Sequence, residues 1–100
     1  MTSINFTNRA VDDLDAIGDY HAHYSSVYAS QLQDGIINRA EALRQFPELG
    51  RVVPEFNNPS IRELLHKPYR IVYRLVSQAR IDILTIQHSS RHLAERFFDT

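Results

Sequence analysis

The pattern of apolar residues predicts an α+β fold with the order β-α-α-β-β-β, in which a helix hairpin packs on one face of a small antiparallel sheet. Three observations lead there. Apolar residues recur at helical spacing in two consecutive stretches between positions 10 and 43. Period-two alternation then dominates positions 61–87. No linker, repeat or low-complexity tract divides the 100 residues, so positions 1–100 read as one domain.

Ile4-Asn5-Phe6 alternates and predicts a short first strand. Thr7 or Asn8 can cap the helix behind it. Ala10, Leu14, Ile17, His21 and Tyr24 form its apolar stripe, and Asp12, Asp13 and Asp15 lie in its first turns, where the helix dipole favours acids. Ser25-Ser26 breaks this helix and starts the next, whose stripe is Ala29, Leu32, Ile36, Ala40 and Leu43. Pro47 ends it, because the residue before a proline is driven out of the helical region. With almost nothing between them, the helices form an antiparallel hairpin, and Tyr20, Tyr24 and Tyr28 are expected to pack between them.

From Pro47 to Pro59, turn residues predict an irregular surface loop. Three strands are expected next, the first from Ile61 to Leu65. In the second, Tyr69 to Val76, the alternation puts Ile71, Tyr73 and Leu75 on one face and Arg70, Val72, Arg74 and Val76 on the other. In the third, Arg80 to Gln87, it sets Ile81, Ile83 and Thr85 against Asp82, Leu84 and Ile86. The sheet face turned away from the helices is expected to stay partly open and lined by arginines.

Composition excludes several functions. There is no cysteine, hence no disulfide, thiolate nucleophile or cysteine–zinc site, which fits a cytoplasmic setting. The first residues lack the basic and apolar regions of a signal peptide, and no apolar run approaches the roughly 20 residues of a membrane span. His21 and His23 point different ways on a helix, so no metal or other cofactor is expected. Net charge is −1, but it is divided. Positions 1–50 hold three bases against seven acids, giving −4; positions 51–100 hold eight bases against five acids, giving +3. A negatively charged partner is expected on the second half.

Several blocks together resemble the RelE/ParE toxin family of type II toxin–antitoxin systems. Ala10-Val11-Asp12-Asp13-Leu14-Asp15-Ala16-Ile17 is similar to the family's A-x-x-D-L-x-x-I opening. Pro47-Glu48-Leu49-Gly50-Arg51 is similar to its P-x-x-G-R turn. Arg62-Glu63-Leu64, Tyr69 to Arg74, Ile83 to His88 and then Arg91 follow in the family's order. The resemblance implies a toxin neutralised by a cognate antitoxin in a hetero-oligomer, and it leaves two activities open.

One branch cuts messenger RNA on the ribosome. Metal-free cleavage needs a base for the ribose 2′-hydroxyl, cations for the phosphate and an acid for the leaving oxygen. Arg62, Arg70, His88 and Arg91 would be the candidates, since a guanidinium fork matches phosphate oxygens and histidine titrates near neutrality. That branch ends in a pattern resembling H-R-R-x-x-Y. Here His88-Ser89-Ser90-Arg91-His92-Leu93 puts leucine, which cannot transfer a proton, where the tyrosine would stand; His92 is the one candidate substitute. The other branch, ParE-like, poisons DNA gyrase by binding and needs no catalytic residue. Leu93 favours that branch, with Arg62, Arg70, Arg74, His88, Arg91, Phe97 and Phe98 as candidate contacts to target or antitoxin.

Each candidate also has a structural alternative. Arg70 and Arg74 can be solvated side chains, Arg62 can pair with Glu63 or Glu55, His88 can be a polar strand end, and Arg91 can cap the last turn. Joint replacement of Arg70 and His88 by alanine is expected to leave the fold intact.

Overall fold

Two hydroxyl residues ahead of the apolar repeats set where the helices begin. In the structure, a computed structural model describing residues 2–93, strand β1 (Ser3–Phe6) runs into helix α1 (Asn8–Ala22). Thr7 Oγ1 accepts the Ala10 amide at 3.2 Å and donates to the Ile83 carbonyl at 2.9 Å, so one side chain caps the helix and ties its start to the sheet. Ser25 Oγ accepts the Tyr28 amide at 3.1 Å and opens helix α2 (Ser26–Glu41), which tightens into a 3-10 turn at Ala42–Arg44 before Pro47. The helices form the expected hairpin over one sheet face.

The sheet has five strands in the order β1-β5-β4-β3-β2, where β2 is Arg51–Val52, β3 Ile61–His66, β4 Tyr69–Ser77 and β5 Arg80–His88. Two features depart from expectation. Within the presumed irregular stretch, Arg51 and Val52 pair with Glu63 and Arg62. The sheet is also mixed: β1 runs parallel to β5, with Ile4 opposite Ile81. Only hairpin-linked strands are forced antiparallel, and the whole chain separates β1 from β5.

A bulge alters the facing of β5. Tyr73 pairs with Ile83 but Val72 with Thr85, leaving Leu84 as the extra residue. Beyond it the parity flips, so Ile86 joins Ile81 and Ile83 instead of opposing them. The main core lies between this face and the helices, where Ile17, Leu32, Ile36 and Leu43 meet Leu64, Ile71, Tyr73, Ile81 and Ile83.

The opposite sheet face is not an open arginine-lined surface. Val53, Ile61, Val72 and Leu93 form a second buried cluster there, with Phe56 and Leu84 against it. The loop after β2 and the segment after β5 cover it, because the apolar side chains of β3 and β4 on this face need a roof.

Candidate functional site

Arg70 stands on β4 beneath that roof and is only 5% exposed. Its Nη1 donates to Glu55 at 3.1 Å and to Glu63 at 3.2 Å. Its Nη2 donates to the second Glu55 oxygen and to the Arg91 carbonyl, the latter at 2.6 Å. Glu55 also accepts the Leu93 amide at 3.0 Å, and Glu63 accepts Arg51 Nη2 at 3.3 Å. The Arg70 hydrogen bonds hold the Glu55 carboxyl down to about 2 against the upward push of burial. The cation is thus matched by two carboxylates and fastens both covering segments to the sheet. As a solvated side chain or an open phosphate grip, Arg70 is corrected: desolvated between two acids, it has no face to offer.

The other sequence candidates scatter. Arg62 is half-buried and donates to the Pro59 and Gly50 carbonyls, both at 3.1 Å, rather than to Glu63 or Glu55. The pleat explains this, since adjacent residues Arg62 and Glu63 point to opposite faces. Arg74 is exposed, opposite Asp82 in register. Arg91 is exposed, and its amide closes a turn on the His88 carbonyl at 3.0 Å. His92 is exposed, whereas Leu93 is 1% exposed inside the second cluster. The position where an RNA-cutting relative would keep a phenol is therefore a core position here. Phe97 and Phe98 lie outside the described residues.

His88 is exposed and joins a group the sequence did not assemble. Its Nδ1 accepts from the Ser90 hydroxyl at 2.7 Å and from the Ser90 amide at 3.2 Å, which assigns the neutral ring's proton to Nε2. The His88 ring meets Tyr69 edge-on, with centroids 5.8 Å apart. The Tyr69 hydroxyl lies 2.9 Å from His21 Nε2, and burial is the main cause that raises its pKa. His21 in turn contacts Tyr20 and Tyr28, at 5.0 and 5.4 Å.

Tyr20, Tyr24 and Tyr28 do not pack between the helices as expected; they are exposed. Tyr20 falls one position off the Ile17–His21 stripe, Tyr24 follows the end of α1, and Tyr28 precedes the buried stripe of α2 that starts at Ala29. The signal for this cluster was His21, a polar residue within an apolar stripe. Among the described residues, no three histidines or acids converge on a metal position, and no helix is long and apolar enough to cross a membrane.

A sequence profile described as "ParE toxin of type II toxin-antitoxin system, parDE" matches residues 4–93. The chain belongs to this toxin family. The ParE-family assignment agrees with Toxin RelE2 of Caulobacter vibrioides, which is 30% identical over 91% of this chain and 99% of that one. The solved structure "Chromosomal ParDE TA system from P. aeruginosa" superposes with a TM-score of 0.73 at 30% identity, covering 88% of this chain and 96% of that chain. The RelBE2 toxin–antitoxin complex of Mycobacterium tuberculosis shares the fold, with a TM-score of 0.65 at 18% identity over 87% of this chain and 96% of that one.

Two of the ParE-family blocks have plain structural reasons. Asp13, the acid of the opening motif, accepts the Thr85 hydroxyl and, at 3.1 Å, the Ile86 amide, so it locks α1 onto the strand just past the bulge. Gly50, in the P-x-x-G-R turn, donates its amide to the Tyr73 hydroxyl at 2.9 Å, and that hydroxyl donates to the Pro47 carbonyl at 2.9 Å. A Cβ on Gly50 would lie 2.5 Å from the Glu63 carbonyl oxygen, so the turn approaches β3 too closely for any side chain.

Proposed function

We propose that this ParE-family toxin arrests growth by binding DNA gyrase and holding its cleaved complex with DNA, without catalysis of its own, and that a cognate antitoxin neutralises it in a hetero-oligomer. One observation carries the choice: Arg70 and Leu93, two positions an RNA-cutting site would use, are both spent on the second core. A guanidinium matched by two carboxylates cannot stabilise charge on a phosphate, and a buried leucine cannot supply a proton. Exposed cations of the second half, Arg74 and Arg91 among them, suit an acidic antitoxin segment that folds on binding. The P. aeruginosa ParDE system and the M. tuberculosis complex, both toxin–antitoxin assemblies by title, support such a partner.

The test is purified gyrase with plasmid DNA and toxin. Loss of supercoiling with trapped linear DNA is expected, and addition of the antitoxin should reverse it. Full supercoiling activity with no linear product at excess toxin would overturn the gyrase reading.

A second reading, ribosome-dependent cleavage of messenger RNA, has one observation in its favour. Tyr69, His21 and His88 bring a phenol and two imidazoles together beside Arg91-bearing chain. Toxin-dependent cuts in translated messages, mapped by primer extension and lost in Tyr69→Phe, would establish that reading instead.

A further inference from the structure

The closed end of the helix hairpin, around the turn between α1 and α2, presents exposed apolar side chains. Tyr20 is 63% exposed, Tyr24 78% and Val27 66%, with Tyr28 beside them. The rings are nonetheless ordered against one another: Tyr20 meets Tyr24 edge-on at 6.0 Å, and Tyr28 is braced by His21. His21 is itself anchored to Tyr69 of the sheet. Three tyrosines braced through these ring contacts, with exposed Val27 next to Tyr28 in the chain, form an apolar patch whose rings lose little entropy on binding, which is the usual make-up of an interface hot spot.

Charge selects the partner. From position 10 to position 38 the chain holds five aspartates and no lysine or arginine. Asp13 is engaged by β5, but Asp12, Asp15, Asp19 and Asp34 are exposed along the hairpin. Arg39, the next cation along α2, donates to the Leu65 carbonyl, and Lys67 lies on the turn between β3 and β4. A phosphate backbone or an anionic membrane would meet repelling carboxylates here. A basic protein segment would instead find ring faces for its cations and carboxylates beside them. We infer that the hairpin tip, centred on Tyr20, Tyr24, Val27 and Tyr28, is a docking surface for an arginine- or lysine-bearing segment of a protein partner. This surface is distinct from the basic second half that would take an acidic antitoxin, and it does not depend on the gyrase reading.

The test uses a fluorescein-labelled arginine–serine peptide, its lysine and glutamate counterparts and a labelled single-stranded oligonucleotide. Anisotropy titrations of the full chain are combined with NMR mapping of shifted signals. The arginine and lysine peptides should bind and move the signals of Tyr20, Tyr24, Val27 and Tyr28. Tyr20→Ala with Tyr24→Ala should weaken binding by about fivefold or more, as two exposed cation–π contacts would. Asp15→Asn with Asp19→Asn should weaken it too, and the glutamate peptide should not bind. All four side chains replaced are exposed, so circular dichroism should show an unchanged fold. Basic peptides that fail to bind, that shift signals elsewhere, or that bind the tyrosine double variant as well as the parent would overturn the inference. So would an oligonucleotide seated on the tip.

Discussion

Arg70→Ala takes the cation from between Glu55 and Glu63 and leaves two acids under the roof of the second core, with Arg51 still paired to Glu63. Breaking a buried ion pair from one side costs about 3–5 kcal/mol, because the abandoned charge stays desolvated. A second route gives a similar size. Glu55 is held at about 2 instead of its ordinary 4.5, and a shift of that size corresponds to about 3 kcal/mol. Partial solvent contact and the surviving Leu93 hydrogen bond lower this to about 2. A loss of about 3 kcal/mol is a large share of the 5–15 kcal/mol that holds a domain of this size, and should lower the melting temperature by about 10–20 °C. Thermal and urea unfolding followed by circular dichroism measure it. The pH dependence adds a signature. Because folding lowers the Glu55 pKa, its contribution is complete above about pH 4.5 and disappears as pH falls through about 2. The parent should therefore lose stability over that window, and the gap between parent and variant should narrow. A variant melting within about 5 °C of the parent at neutral pH would refute this account and restore Arg70 as a dispensable surface cation.

Asp13→Ala removes the acceptor for the Thr85 hydroxyl and the Ile86 amide; a loss of about 2–3 kcal/mol is expected in urea unfolding, with hydrogen exchange quickening at Ile86. Tyr73→Phe leaves the Gly50 amide and Pro47 carbonyl without their shared partner and should cost about 1–3 kcal/mol by the same measurement. His88→Ala alters an exposed ring whose hydrogen bonds are local, so its unfolding free energy should stay within about 0.5 kcal/mol of the parent.

Much of the candidate surface was legible as residue types but not as contacts. The helix starts at Thr7 and Ser25 could be read because a cap and its amides are sequence neighbours. The family blocks were visible too, although their reason was not. Asp13 acts on residues over seventy positions away, and Gly50 on a tyrosine 23 positions away. The role of His21 was hidden in the same way, since its partner Tyr69 comes from another element.

Local patterning by itself settled the α+β order, the helix hairpin and the three long strands, because periodicity and capping act within a few residues along the chain; the family followed from the resemblance of the motif blocks. Only the tertiary structure decided the parallel pairing of β1, the bulge at Leu84, the second core and the burial of Arg70. Alternation shows that Arg70 and Ile71 face opposite ways but not what lies over each face. That depends on where the loop after β2 and the segment after β5 return, and the return turned an apparent surface cation into a buried tie.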